Sequence, residues 1–497
     1  MHYDAMVTLD DITRNDAELT ARFESRLQVN SDLTRALVSF QANKTEQSYR
    51  WFKYKEGFSS AIINYILDSV KAKEGVVLDP FAGAGTTLFV AAERGLDAVG
   101  IELLPLGQEI IAARKTTLNG GAAECSKALK RWLADRPWER GQPKPFRHLK
   151  ITAGAFSDET ELGLGRFLAQ REAETPKLKR LLQFAALCVL EEISYTRKDG
   201  QYLRWDKRSG RRQGKKPFDK GHIKPFTDAI MEKLQQICHD LAGSEQSGLQ
   251  LFTPPAHFGS IEVIPGSCLE ELPKLPDDHF DCLITSPPYC NRYDYTRTYA
   301  LELALLGADE VEIKKLRQTM LSCTVENRPK ADLHKSFHPD IWTRSERAFQ
   351  SQACIQGVLQ YLEQRKAEGL LNNSGIPRMV KGYFWETTLA IFECARILKP
   401  GAPFVMVNDN VRYEGALVPV DLILSDIAEQ AGFDVEKIWV LPTNKGNSSQ
   451  QMGQWGRAQL RKCVYVWRKA SLNLDKPIGQ IAKLSVISKV GSVCQSA

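Results

Sequence analysis

The chain has no CxxC pair and no His at metal-ligand spacing to accompany its eleven cysteines, which are scattered singly from Cys125 to Cys494. A disulfide framework and a structural zinc site are therefore not expected, and the cysteines read as small core residues or inert thiols. The opening Met1-His2-Tyr3-Asp4-Ala5 has neither a basic nor an apolar signal region. The most apolar helical stretch, Leu181 to Ile193, is interrupted by Gln183, Glu191 and Glu192 and is too short to span a bilayer. These absences lead to the expectation of a cytoplasmic protein with no metal and no membrane partner. Internal repeats are also missing. With 43% hydrophobic and 25% charged residues, the composition excludes a largely disordered chain, and 497 residues suit roughly three domain-sized units.

Positive charge is present but concentrated. Tyr195 to Phe226 holds eleven Lys or Arg against three Asp, whereas the remainder carries 55 basic and 57 acidic residues. A local excess of this kind points to contact with a polyanion. Within it Arg197, Lys198, Arg204, Lys207, Arg208, Arg211 and Arg212 are the candidate phosphate contacts, interleaved with Tyr202 and Trp205, which could stack on a base or anchor the loop. An exposed loop on a helical insertion is the plainer reading of the same residues.

From Gly75 onward strand and helix alternate. Val76-Val77-Leu78 reads as a buried strand, Thr86 to Arg94 as a helix, and Ala98 to Ile101 as the next strand, a βαβ unit that starts a doubly wound sheet. The pattern stops for about 140 mostly helical residues, Asn119 to Phe258. It resumes at Ile261–Ile264 and Cys282–Thr285 and pauses again from Gly307 to Met379. A helix at Tyr383–Leu398, strands at Pro403–Val407, Ile438–Leu441 and Cys463–Trp467, and a helix at Val420–Ala431 complete it.

Two segments carry chemistry. In Leu78-Asp79-Pro80-Phe81-Ala82-Gly83-Ala84-Gly85-Thr86-Thr87, the glycines permit a tight turn and close approach of a ligand to the backbone. Glu102 ends the next strand, where an acid can accept hydrogen bonds from ribose hydroxyls. Alone, the glycine pair suits a structural turn as well. Leu88 stands where a third glycine of GxGxxG would fall, which disfavours a dinucleotide, and the Asp79 carboxylate suits a cationic ligand better than a phosphate. The second segment, Ser286-Pro287-Pro288-Tyr289, ends a buried strand with a hydroxyl, a rigid backbone carbonyl and an aromatic face. Those parts suit the holding of a planar amine; a proline-rich turn with a core tyrosine is the bland alternative.

Together these segments resemble motifs I and IV of the S-adenosylmethionine-dependent DNA amino-methyltransferases. Trp51 to Asp68, with Lys55-Glu56-Gly57-Phe58-Ser59, is placed like motif X, and Ile264-Pro265-Gly266-Ser267 like motif III, although Ser267 stands where the family often has Asp. The resemblance implies an α/β fold with a doubly wound, mostly parallel, seven-stranded Rossmann-like sheet and two largely helical insertions. It divides the chain into an N-terminal helical and polar extension (1–48), the cofactor-binding half (49–118), a basic insertion and candidate target-recognition region (119–258), the catalytic half (259–306), a second insertion (307–378), the rest of the sheet (379–469) and a tail (470–497).

It further implies S-adenosyl-L-methionine as cofactor, held by Phe58, Asp79, Phe81, Gly83, Gly85, Thr86 and Glu102, and methyl transfer to an exocyclic base amine of flipped-out double-stranded DNA. Ser286, Pro287, Pro288 and Tyr289 would be catalytic, with cofactor and base about three strands apart on the sheet. A serine first in the tetrad is similar to the cytosine-N4 enzymes, which favours N4 of cytosine over N6 of adenine. Cognate restriction or defence-system proteins are the implied partners. An RNA base-amine methyltransferase and a catalytically silent nucleic-acid-binding protein are the alternatives. Cys290 reads as structural, because Tyr289 separates it from the prolines and a carbon-5 enzyme needs a nucleophilic Pro-Cys pair. Thr443 to Gln451, a polar loop, would face the base pocket in this fold.

Overall fold

Consecutive apolar residues form the strands of one central sheet. The computed structural model describes residues 6–34, 36–55, 57–118, 121–199, 203–212, 216–246, 258–442 and 460–471. Its main sheet contains β1 (Leu27–Val29), β2 (Val76–Asp79), β3 (Asp97–Glu102), β4 (Ile261–Pro265), β5 (Cys282–Thr285), β6 (Pro403–Asp409), β7 (Phe433–Val440) and β8 (Lys462–Lys469). The order across the sheet is β1-β7-β8-β6-β5-β2-β3-β4. All pairs are parallel except those of β8, which runs antiparallel to both β7 and β6.

Alternation along each strand divides the core in two. Val77, Cys282, Ile284, Val405 and Val407 pack with helices Ser60–Val70 and Thr86–Glu93 on one face. Leu78, Leu283, Phe404 and Met406 pack on the other with helices Ile376–Ile397 and Val420–Ala431. Both faces are covered, which is why the central strands are apolar throughout rather than alternating. The helix Val420–Ala431 stops at Gly432, whose φ of +105° supplies the left-handed cap.

The sheet has eight strands where seven were expected. The extra one, β1, comes from the N-terminal extension and pairs parallel with β7, Leu27 opposite Ile438. The spacing of the two motif strands also differs from expectation. β2 and β5 are immediate neighbours, with Val77 opposite Cys282 and Leu78 opposite Leu283. The chain leaves β2 toward β3 and β4, then returns to β5 on the opposite side. That reversal creates the switch point outside whose strand ends open α/β sheets hold ligands.

Residues 121–246 supply most of a further buried cluster. Helices Gly121–Asp135, Asp158–Gln170, Pro176–Ile193 and Phe226–Gln246 share it with Trp51, Phe52, Tyr54 and Tyr299. Residues 307–378 divide between clusters. Ile313 of helix Glu310–Thr319 joins that helical cluster, whereas Ile341, Phe349, Ile355 and Leu362 of helices Pro339–Ser351 and Ala353–Ala367 belong to the sheet core. Among the described residues, no helix is long and apolar enough to cross a membrane.

Candidate active site at the sheet switch point

The turn after β2 is shaped by its glycines. Gly83 (φ +53°) and Gly85 (φ +76°) both take the left-handed conformation that side chains resist. A Cβ on Gly83 would approach Tyr54 Cε1 to 3.3 Å, and one on Gly85 would press to 2.7 Å from Ile111 Cγ1. Phe81, Gly83 and Thr86 line a cavity above the strand ends, together with Phe58 and Glu102. Gly85 is not on the cavity wall; its lack of a side chain makes room for Ile111.

Glu102 holds this turn from the end of β3. Its Oε2 accepts the Gly83 amide at 2.6 Å and its Oε1 accepts the Leu104 amide at 2.6 Å. Burial pushes the carboxyl up to about 8, against the pull of these two bonds. Asp79, expected against the cofactor, is not on the cavity wall. It is buried and accepts the Thr87 and Thr285 hydroxyls, each at 2.7 Å, and the Phe81 amide at 3.1 Å. It therefore ties β2 to β5 and to the helix behind the turn. Burial raises its carboxyl to about 6, opposed by those same hydrogen bonds.

At the end of β5, Ser286 and Pro288 open onto the same cavity as Gly83. Ser286 Oγ lies 3.2 Å from the Tyr289 hydroxyl and 3.2 Å from the Val407 carbonyl of β6, and can give its single hydrogen to one of them. Pro287 is buried and Tyr289 half-buried. The turn beyond is pinned by Tyr413, whose hydroxyl donates to the Cys290 carbonyl at 2.6 Å. Cys290 itself is buried, and burial raises its thiol well above the ordinary range, which suits a packing residue.

Several wall residues escaped the sequence reading. Phe40, Asn43, Ser48 and Tyr49 reach the cavity from the extension and the segment beyond it. The buried Arg114 guanidinium lies between two rings, 3.6 Å from the centre of Phe89 and 4.1 Å from that of Tyr49, and donates to Ser48 Oγ at 3.1 Å. It too lines the cavity. The density of aromatics from Tyr49 to Phe58 was the available signal. That segment is anchored in the helical cluster. Trp51 Nε1 donates to Asp240 at 2.8 Å, and Tyr54 stacks on Tyr299 with ring centres 5.1 Å apart.

Ser267, the departure from the family pattern, stands on the cavity wall and also serves the structure. Its hydroxyl donates to the Thr319 carbonyl at 3.0 Å and caps the short helix Cys268–Glu271. Next in the chain come Met320 and Leu321, also on the wall. They are fixed by Glu386, which accepts the Ser322 amide and hydroxyl at 2.7 Å each.

The basic segment forms a small hairpin, Thr196–Lys198 against Leu203–Trp205, with Arg197 opposite Arg204. Lys198, expected to contact phosphate, is instead buried in an ion pair with Glu302, over the rings of Phe52 and Tyr299. Arg208 chelates the buried Asp206 with two bonds of 2.7 and 2.9 Å, and Lys207 pairs with Asp219 at 2.8 Å. Arg211 packs on Trp205 and donates to the Lys150 and Ala153 carbonyls. Arg197, Arg204 and Arg212 are exposed, the first two beside Phe218. Lys198, Lys207 and Arg208 are thus engaged in ion pairs, and Arg211 is bound to backbone carbonyls. Tyr202 and the loop Thr443 to Gln451 lie outside the described residues.

The cavity joins a backbone-lined turn, a carboxylate at one strand end, a buried guanidinium, and Ser286 and Pro288 of the tetrad, whose Pro287 and Tyr289 are not on its wall. Such a donor set fits an elongated ligand bearing hydroxyls and a carboxylate, set beside a second, planar one. Among the described residues, no group of three His, Cys, Asp or Glu is placed to hold a metal ion.

Comparison with known proteins agrees with this geometry. Residues 20–112 match the family model of N6/N4 DNA methylases. The chain is 50% identical over 473 residues to the Type II methyltransferase M.AvaI of Nostoc sp. and of Anabaena variabilis, covering 93% of this chain and 94% of theirs. It is 41% identical over 456 residues to the Type II methyltransferase M.BsoBI of Geobacillus stearothermophilus, covering 88% of each. On motif, cavity and full-length similarity alike, the chain belongs to the DNA amino-methyltransferase family and sits among its Type II enzymes.

Proposed function

We propose that this protein is a site-specific DNA methyltransferase that transfers a methyl group from S-adenosyl-L-methionine to an exocyclic base amine, N4 of cytosine. The observation that carries the reading is that Gly83 and Pro288 line one cavity, at the ends of adjacent strands. A donor and an acceptor held at these two places can meet without a carrier on the enzyme.

S-Adenosylmethionine fits the donor set, and when bound it supplies an electrophilic sulfonium methyl. Glu102 accepts the ribose hydroxyls, the backbone of Phe81 to Gly83 follows the cofactor's length, and Phe58 closes over it. Arg114, a cation on the wall, pairs with its amino-acid carboxylate. Asp79 and Gly85 act behind the wall, fixing the turn.

On the acceptor side, Ser286 and the Pro287 carbonyl accept the N–H groups of the base amine and aim its lone pair. Tyr289 stacks on the base once it has left the helix. Catalysis of this kind is positioning and desolvation, with no covalent enzyme intermediate. The choice of cytosine rests on serine as the first residue of the tetrad. The expected partners are double-stranded DNA and the proteins of a restriction or defence system. Incubating the protein with labelled cofactor and unmethylated duplex DNA, then separating the digested nucleosides, tests the reading. Label in N4-methyl-2′-deoxycytidine supports it. Label in N6-methyl-2′-deoxyadenosine corrects the base, and, with transfer RNA offered in a parallel incubation, label in RNA alone refutes the DNA reading.

A further inference from the structure

Positive charge is also gathered away from the hairpin. A second groove is lined by six cations, Lys150, Arg297, Lys314, Arg317, Arg328 and Arg378, against two acids, Glu310 and Glu326. It shares two walls with the catalytic cavity. Tyr295 lines the cavity, and its neighbours Thr296 and Arg297 line the groove; Met320 and Leu321 line the cavity, and Arg317 and Gln318 the groove. The segment Tyr295–Thr298 is the first helix after the serine-proline-proline-tyrosine turn.

Arg317 and Arg297 are held in place by the buried Asp294, at 3.0 and 3.4 Å, and Arg297 also pairs with Glu326 at 3.1 Å. Lys150, Lys314, Arg328 and Arg378 are exposed, and among the described residues they form no ion pair. Gathering unpaired like charges around one groove is unfavourable to the folded chain, and a bound polyanion reverses that cost. The hairpin supports this arrangement. Arg211 grips the Lys150 and Ala153 carbonyls at 3.0 and 2.7 Å, which sets the edge of the groove where Lys150 stands.

We propose that this groove, bounded by the loop 149–151, the helix Glu310–Thr319 and the segment 326–328, is the track that holds the duplex DNA phosphates flanking the target base. The inference rests on the DNA methyltransferase reading and adds the surface by which the substrate is held. Lys150, Lys314 and Arg328 neutralise phosphates, and Arg297 and Arg317 fix the helix that joins the track to the catalytic turn. The hairpin is a brace for this track, with a smaller share of the phosphate contact.

The test is duplex binding by fluorescence anisotropy across a range of salt concentrations, with a duplex methylated by the wild type and a scrambled duplex. The triple variant K150A/K314A/R328A is compared with wild type and with the hairpin variant K207A/R212A, and S-adenosylhomocysteine binding by calorimetry checks folding. If three phosphate contacts are lost, the plot of log affinity against log salt becomes shallower by roughly three, and affinity for both duplexes falls roughly 100-fold near 0.15 M salt. Cofactor-product binding stays as in wild type, and the hairpin variant changes less than the triple. Wild-type affinity and slope in the triple variant, with methylating wild type, overturn this inference alone. A greater loss in the hairpin variant also overturns it. A wild type that neither binds duplex nor methylates it removes the function reading as well.

Discussion

The Gly83 amide donates to Glu102 Oε2 at 2.6 Å, so the glycine turn and the acid at the end of the next strand form one unit. The second oxygen is engaged by the Leu104 amide. Burial raises the Glu102 carboxyl to about 8. If the ionised form receives the ribose hydroxyls, affinity for an adenosine ligand rises as pH passes upward through that value. 5′-Methylthioadenosine, which carries no group titrating in that range, is a suitable probe. Calorimetry from pH 7 to 9 should show tightening in wild type. Glu102→Gln should bind at least tenfold more weakly and without that pH dependence, because an amide cannot accept at both atoms. A flat wild-type profile would remove Glu102 from this role.

Asp79 offers a test of the brace between the strands. Asp79→Asn leaves one of the two threonine hydroxyls without an acceptor, an expected loss of about 1–3 kcal/mol by denaturant unfolding. The pH dependence has a definite sign. The folded pKa, about 6, lies above the ordinary value of 3.8, so the folded state binds the proton more tightly. Wild type therefore loses stability relative to Asp79→Asn as pH rises from about 4 to 6. A difference between the two proteins that is constant across this window would contradict the assignment.

Lys198 and Glu302 make a buried pair, with side chains 3% and 1% exposed. Lys198→Met leaves a carboxylate without its cation and should cost about 3–5 kcal/mol, whereas Lys198→Met combined with Glu302→Leu should recover most of that loss. Duplex binding by the double variant should match wild type. A loss of DNA affinity at unchanged stability would return Lys198 to the phosphate contacts.

Much of the sheet was legible because its signals are local. Cys282–Thr285 is a continuous apolar run stopped by prolines, and Val420–Ala431 has helical spacing and a glycine stop; both elements form with those boundaries. β1 was not legible. It is three residues long and half-exposed, and exists because β7 offers it an edge far along the chain. Arg114 reads locally as the charged end of a helix; its burial depends on Tyr49 and Phe89. Lys198 sits in a run of cations, and nothing within the hairpin signals that Glu302, 104 residues away, will bury it. The adjacency of β2 and β5 is likewise a matter of winding direction, which periodicity does not carry.

Replacement of the acceptor-side residues separates chemistry from binding. Ser286→Ala should lower the methylation rate roughly 100-fold or more, as loss of a preorganised polar contact does, with little change in duplex affinity. Tyr289→Ala removes a stacking face worth about 1–3 kcal/mol and should reduce the rate by roughly 5- to 150-fold. Single-turnover kinetics with saturating enzyme measure both. Unchanged rates in both variants would remove Ser286 and Tyr289 from the chemistry, and a wild type that binds duplex without methylating it would favour a catalytically silent binding protein.

The most direct test of the account is single-molecule sequencing of DNA from cells that express the protein, with cells expressing Ser286→Ala as control. The account predicts N4-methylcytosine at a fixed position of one short recurring sequence, absent or strongly reduced in the variant. N6-methyladenine at such a sequence, or DNA with no modified base, would contradict it.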